Sequence, residues 1–97
     1  MMIEMRKTVG FAEWLDGLRD LRARARVQVR IERLADGHVG DVKPVGEGVS
    51  ELRINYGPGY RVYFTKRAGD VVILLAGGDK RTQAADIRTA LRLARSL

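Results

Sequence analysis

Two arginines in the middle of the 97-residue chain, Arg53 and Arg61, have the residue type and spacing best suited to binding an anion. They flank the segment Gly57-Pro58-Gly59, which favours a turn because glycine tolerates positive φ and proline fixes φ. A symmetric turn places the two guanidinium groups opposite each other on paired strands, where they repel unless an anion lies between them. Two interpretations stay open: a solvated charge cluster with Glu51, or a platform that binds a phosphate.

The hydrophobic pattern around this turn predicts which side chains share a face. A hairpin symmetric about Gly57 pairs Leu52 with Val62 and Arg53 with Arg61. A slip of one residue would exchange the two faces, so the pattern favours this register or one shifted by two residues. The predicted core face carries Leu52, Ile54, Tyr60, Val62 and Phe64, and the predicted polar face carries Glu51, Arg53, Arg61 and Tyr63.

A second basic pair, Lys80 and Arg81, follows Gly77 and Gly78. We expect the glycines to form a turn into the last helix, with Thr82 as its N-cap. The free N–H groups and the dipole of such a helix start favour an anion. The spacing is not that of a Walker loop, and the other glycine-rich segment joins two strands and is therefore not a dinucleotide fingerprint. The sequence predicts no nucleotide cofactor.

Composition narrows the remaining classes of chemistry. The chain has no cysteine and a single histidine, His38, in a glycine-flanked loop, so neither a disulfide framework nor a metal site is expected. The first ten residues do not resemble a signal peptide, and no apolar run approaches the ~20 residues of a membrane span. With 45% hydrophobic residues, the sequence predicts one cytoplasmic domain over residues 1–97, without a cofactor or a membrane partner.

Charge predicts an acidic partner. The net charge is +6, and 14 of the 18 basic residues are arginine, which forks onto phosphate and carboxylate groups. A nucleic acid or a negatively charged protein would suit this surface. Two helical stripes of arginine are candidate docking surfaces, with plain solvated surface as the alternative. These stripes are Arg22, Arg26, Arg30 and Arg33 on the second helix, and Arg88, Arg92 and Arg95 on the last helix.

The elements that must position these residues follow from periodicity. Residues 3–9 suggest a weak first strand, and residues 41–45 an edge strand that places Lys43 beside the hairpin. The stretch Leu21–Ile31 alternates like a strand, but its length, its composition and Gly37 favour a helix. The apolar run Val71–Leu75 predicts a strand covered on both faces. The helix stripes are Phe11, Trp14, Leu15 and Leu18, then Ala23, Val27, Ile31 and Leu34, and finally Ala84, Ile87, Leu91 and Ala94.

Two segments, GVSELRINYGPGYRVYF and LLAGGDKRTQAADI, resemble the RelE/ParE superfamily of type II toxin-antitoxin toxins, and more narrowly its HigB-type, phage Gp49-like addiction module killer proteins. The resemblance covers about residues 11–90. It implies an α+β, RelE-like fold with two N-terminal helices and a C-terminal helix on a curved, mainly antiparallel four- or five-stranded sheet, in the order (β)ααββββα. It also implies neutralisation by a cognate antitoxin.

The same resemblance leaves three functions open. RelE and HigB relatives cut mRNA in the ribosome without a metal, which makes a ribosome-dependent endoribonuclease the leading interpretation. ParE relatives instead inhibit DNA gyrase without enzymatic chemistry. A plain nucleic-acid-binding module, or an inactive relic, is the third possibility. The expected partners are therefore the antitoxin, together with the ribosome and mRNA or with gyrase.

Carried over residue by residue, the resemblance assigns catalytic roles to Arg61, Lys80 and Arg53. Arg61 would contact the scissile phosphate, and Lys80 would act as general acid or stabilise the leaving oxygen. RelE has lysines where this chain has Val49 and Glu51, and its C-terminal tyrosine aligns near Asp86. The general base is then missing unless Glu51, Lys43 or Asp86 replaces it. The further residues expected to bind substrate are Lys43, Glu51, Tyr63, Arg81 and Asp86.

Overall fold

The computed structural model describes residues 3–97, and a five-stranded sheet lies at the centre of this part of the chain. The strands are β1 (Glu4–Lys7), β2 (Val42–Gly46), β3 (Val49–Ile54), β4 (Tyr60–Arg67) and β5 (Val71–Asp79). The helices are α1 (Val9–Asp16), α2 (Leu21–Ala35) and α3 (Gln83–Arg95), and a 3-10 turn (Lys80–Thr82) joins β5 to α3. The predicted α+β order is confirmed, including the weak first strand.

The sheet order is β1-β5-β4-β3-β2, and only the β1–β5 pair is parallel within the described residues. The predicted register of the first hairpin is correct, since Leu52 pairs with Val62 and Arg53 with Arg61. Between β4 and β5 the register shifts at Tyr63 and Phe64. Such a bulge changes which face the following residues of a strand occupy.

Each face of the sheet carries its own apolar cluster. On one face, α1 and α2 place Phe11 and Val27 against the predicted core residues of the hairpin. On the other face, α3 brings Ala90 and Ala94 against Tyr63 and against Ile73, Leu75 and Ala76 of β5. The prediction that β5 is covered on both faces is therefore confirmed. The hairpin face predicted to be polar is also covered, because α3 packs on it.

The second helix forms despite its strand-like alternation. Its buried residues recur at helical spacing, and the Asp20 carboxylate caps its start by accepting from the N–H groups of Arg22 (3.0 Å) and Ala23 (3.2 Å). At its end Gly37 has φ 88°. The N–H of His38 donates to the carbonyl of Arg33 at 2.8 Å, so the helix ends in the Schellman arrangement that the glycine predicts.

The predicted glycine turn before the last helix is wrong. Gly77 and Gly78 lie within β5, where they pair with Val62 and Arg61. Because glycine has no side chain, residues distant in sequence can pack directly against this backbone. A Cβ on Gly77 would overlap the indole of Trp14, and a Cβ on Gly78 would overlap the carboxylate of Asp86. Glycine is thus needed here for close approach and not for a turn.

Three smaller expectations need correction. Thr82 makes no capping hydrogen bond at the start of α3, and the Asp79 carboxylate instead caps the 3-10 turn by accepting from the N–H of Arg81 at 2.9 Å. Leu18 lies beyond the end of α1, although it still packs against the core. Ala84 is exposed, and Ala90 takes the buried position on α3. Among residues 3–97, no helix is long and apolar enough to cross a membrane.

Candidate functional site

The candidate site is built around a buried carboxylate on β3. Glu51 is 0% exposed and lies beneath the first turn of α3. Its Oε1 accepts a hydrogen bond from Nε of Arg53 at 2.9 Å. Its Oε2 accepts from the hydroxyl of Tyr63 at 2.9 Å and from Nε2 of Gln83 at 2.8 Å, and lies 3.5 Å from Nε of Arg61. We call these five residues the Glu51 cluster.

Strand pairing explains why these side chains meet. Glu51 pairs with Tyr63 across β3 and β4, and Arg53 pairs with Arg61 two residues further on, so all four side chains share one face. The anion needed between the two opposed arginines is therefore supplied by the chain itself. Of the two interpretations left open by the sequence, the charge cluster with Glu51 is present but largely buried, and phosphate binding on this face stays a prediction.

The electrostatics of this network keep Glu51 ionised. Burial opposes the charged form, but hydrogen bonds from Arg53, Gln83 and Tyr63 and the nearby charge of Arg61 outweigh it and hold the pKa of Glu51 below its usual value. Burial, followed by the hydrogen bond to the Glu51 carboxylate, raises the pKa of Tyr63. The Tyr63 hydroxyl therefore stays protonated and donates to Glu51.

These findings correct two expected substrate contacts. Glu51 and Tyr63 are both 0% exposed, so neither side chain reaches a bound molecule in this conformation. Their hydrogen-bonding groups are also directed at each other. Glu51 holds both arginines in place from inside the protein, and the hydroxyl of Tyr63 in turn holds Glu51.

The accessible part of the site surrounds Gly59, in the turn between β3 and β4. A Cβ built on Gly59 would lie 3.4 Å from Nη1 of Arg61 and 3.7 Å from Cβ of Lys80, so both basic residues border this glycine. The Arg61 Nη1 donates to the Gly59 carbonyl at 3.1 Å, while its Nε is buried without a hydrogen-bond partner. The Arg61 side chain is 12% exposed, whereas Lys80 is exposed. The fold thus brings two predicted catalytic residues together.

The remaining predicted residues lie around this pair. The half-buried carboxylate of Asp86 rests against Gly78, which is the β5 partner of Arg61, and accepts a hydrogen bond from the hydroxyl of Thr82.

Lys43 is exposed on the edge strand and pairs with Glu51. The exposed Arg81 forms an ion pair with Asp79 at 3.0 Å, and Arg53 is 34% exposed. Arg61 and Lys80 thus border Gly59, and Asp86 lies beside the β5 partner of Arg61; we call these three residues the Gly59 rim.

Sequence reasoning missed Gln83, whose amide connects α3 to the Glu51 carboxylate. It also missed Asp79, which caps the turn that carries Lys80. A polar residue in the first turn of an amphipathic helix gives no signal that a buried carboxylate lies opposite it. The contact depends on how α3 packs on the sheet.

The fold is that of a RelE-like α+β protein. The solved structure of the E. coli toxin RelE in the free state, with two arginines replaced by alanine, superimposes with a TM-score of 0.72 over 100% of this chain and 99% of that one, at 14% identity. A chain of the RelBE2 toxin-antitoxin complex of Mycobacterium tuberculosis superimposes with a TM-score of 0.63 over 82% of this chain and 100% of that one, at 19% identity. These TM-scores establish a shared fold.

Sequence similarity identifies the family. Residues 13–96 match the family described as phage derived protein Gp49-like (DUF891). A Haemophilus influenzae protein described as uncharacterized is 50% identical over 97 residues, which are 100% of this chain and 98% of that protein. The chain belongs to the phage-derived Gp49-like family, as the two sequence segments predicted.

Proposed function

We propose that this protein is the toxin of a type II toxin-antitoxin module, of the HigB type, and that it cuts mRNA in the ribosome. The RelE-like fold and the Gp49-like family support the toxin role. The observation that carries the enzymatic role is the Gly59 rim, where Arg61 and Lys80 border one glycine and the Asp86 carboxylate lies on the paired residue of β5. The proposed site of action is the cytoplasm, and the proposed partners are the ribosome, mRNA and a cognate antitoxin.

The chemistry needs a base, an acid and cations around the developing negative charge. In the proposed step, a base takes the proton of a ribose 2′-OH, the 2′ oxygen bonds to the adjacent phosphorus, and the bond from phosphorus to the 5′ oxygen breaks. The 5′ oxygen then takes a proton from the acid. The products are a 2′,3′-cyclic phosphate and a 5′-hydroxyl end, and no metal or redox partner is required.

The geometry favours one assignment of these roles. Arg61 stabilises the phosphate, with Arg53 as a more distant cation, and Lys80 protonates the leaving oxygen. Of the three substitutes considered for the missing base, Glu51 is buried and its lowered pKa makes it a poor proton acceptor. Lys43 lies on the edge strand, whereas Asp86 lies against the β5 partner of Arg61. We therefore assign the base to Asp86.

A cell-free translation reaction with primer extension tests this function. The purified protein should produce new mRNA ends within translated codons, and Asp86→Asn should reduce the cleavage rate at least ~100-fold, the usual contribution of a general base. Arg88→Ala is the control, because Arg88 is exposed on α3 and takes no part in the rim. Cleavage by Asp86→Asn at the wild-type rate would exclude Asp86 as the base. Uncut mRNA with the wild-type protein would exclude the proposed endoribonuclease activity.

One observation favours a second candidate function, a ParE-like toxin that inhibits DNA gyrase without enzymatic chemistry. Glu51 occupies a position where RelE carries a lysine, and it neutralises the arginines that the cutting reaction would use. A supercoiling assay on the same preparation separates the two. Inhibited supercoiling with intact mRNA would support the second function and reject the first.

A further inference from the structure

The hydroxyl of Thr82 joins the turn before α3 to the carboxylate of Asp86. Oγ1 of Thr82 donates to Oδ2 of Asp86 at 2.5 Å and accepts from the N–H of Asp79 at 3.4 Å. The carbonyl of Asp79 is a second acceptor within reach, also at 3.4 Å. A hydroxyl has only one proton to donate, and the shorter contact to a carboxylate is the stronger hydrogen bond. The Thr82 proton is therefore directed at Asp86.

The backbone of β5 fixes the same carboxylate oxygen from another side. A Cβ built on Gly78 would lie 1.8 Å from Oδ2 of Asp86 and 2.8 Å from Oγ1 of Thr82. Oδ2 thus rests directly against the strand, with the threonine hydroxyl beside it. Because both contacts are made by Oδ2, Oδ1 is the oxygen that stays available to accept a proton from another molecule.

Strand pairing fixes the position of this carboxylate relative to Arg61. Gly78 pairs with Arg61, and the next residue, Asp79, begins the 3-10 turn that carries Thr82. The Thr82 hydroxyl accepts from the N–H of Asp79, so it is held by the same part of β5 that pairs with Arg61. The hydrogen bond from Thr82 therefore sets Asp86 in register with the side chain proposed to bind the phosphate.

We propose that Thr82 is a positioning residue for Asp86. Its hydroxyl holds Oδ2 against Gly78, so that Oδ1 is presented to the ribose 2′-OH and takes its proton. This role rests on the proposed function, in which Asp86 is the general base. A misplacement of a catalytic group by about 1 Å can cost about 100-fold in rate, and because Gly78 still supports the carboxylate we expect loss of the hydroxyl to cost about 10- to 30-fold.

The test compares two substitutions at Thr82 in the cell-free translation and primer-extension assay. Thr82 is exposed, so neither change disturbs the core. Thr82→Val replaces the hydroxyl with a methyl group and should lower kcat about 10- to 30-fold with KM unchanged, because the hydroxyl makes no contact with RNA in this proposal. Thr82→Ser keeps the hydroxyl and should retain at least about half of the wild-type kcat. Thr89→Val makes the same chemical change further along α3 and should leave kcat unchanged.

A double variant distinguishes positioning of Asp86 from an independent effect of Thr82. Once Asp86→Asn has removed the base, loss of the hydroxyl should cost nothing more, so Thr82→Val/Asp86→Asn should cut as slowly as Asp86→Asn alone. Urea denaturation shows that each variant is folded. A further loss of about 10-fold in the double variant would mean that the two effects add, and it would overturn the positioning role.

The side-chain conformation of Asp86 gives a readout that needs no cleavage. NMR three-bond couplings should report one χ1 rotamer in the wild type and an average over rotamers in Thr82→Val. A single rotamer in Thr82→Val, or a wild-type kcat in that variant, would overturn the positioning role while the proposed function stands. A wild-type protein that leaves mRNA uncut is a different result, and it would overturn the proposed function together with the role of Thr82 in it.

Discussion

Replacement of Glu51 by glutamine tests how much the buried carboxylate stabilises the packing of α3 on β3 and β4. The change keeps the size of the side chain but removes the charge that accepts from Arg53, Tyr63 and Gln83. Arg61, at 12% exposure, would lose its nearby counter-charge. Breaking a buried ion pair costs about 3 to 5 kcal/mol, and because glutamine keeps one acceptor we expect the lower end, about 3 kcal/mol.

A loss of this size is readily measured. For a domain of about 100 residues, 1 kcal/mol corresponds to roughly 4 to 8 °C in Tm, so Glu51→Gln should lower Tm by roughly 12 to 24 °C at pH 7. Urea denaturation gives the free energy of unfolding directly. Glu47→Gln is the matched control, because Glu47 also pairs with an arginine, Arg95, but its side chain is 49% exposed and little change is expected.

The pH dependence gives an independent check. The pKa of Glu51 is lower in the folded protein than its ordinary value of 4.5. The stability contributed by its ionised form is therefore fully present above about pH 4.5 and is lost as the pH falls through the lower, folded-state pKa. The gap between the wild type and Glu51→Gln should be constant near neutral pH and narrow below pH 4.5. Equal stabilities at pH 7, or a gap that persists in acid, would refute the reasoning.

Two further predictions concern local structure. Gly78→Ala should lower the free energy of unfolding by about 1 to 3 kcal/mol in urea, because the added Cβ overlaps the Asp86 carboxylate; Gly10→Ala, in open space within α1, should instead be neutral or stabilising by up to about 1 kcal/mol. A Gly78→Ala variant as stable as the wild type would contradict the close approach of α3. Asp20→Ala should cost about 1 kcal/mol by removing the N-cap of α2, seen as a lower Tm, and an Asp20→Asn variant should recover most of it. No difference between alanine and asparagine would argue against capping.

The sequence could predict the hairpin because its determinants are local. Apolar residues alternate on both sides of Gly57, and only registers two residues apart keep Leu52 and Val62 on one face. The second helix was also predictable, from its length, its composition and the glycine at its end. The order of the elements also followed from the local patterns along the chain, and the resemblance to a known family agreed with it.

What the sequence could not predict depends on contacts between distant segments. The alternation in β3 and β4 shows that one face is more polar, but it does not show that α3 covers that face and that Gln83 reaches Glu51. Gly77 and Gly78 suggest a turn locally, and only the positions of Trp14 and Asp86 show why a side chain cannot fit there. Arg61 and Lys80 border the same glycine, whereas the burial of Tyr63 was not foreseen. Their catalytic roles stay predictions.

The parallel pairing of β1 with β5 has a consequence for how the protein forms. Glu4 pairs with Val71, so β1 waits for a partner strand that is synthesised much later. The helix that covers Glu51 is made later still. Contacts between segments so far apart in sequence form late because the loop between them must close first. We expect the Gly59 rim to be assembled only after β5 and α3 have both been made, so that the earlier part of the nascent chain does not carry the finished site.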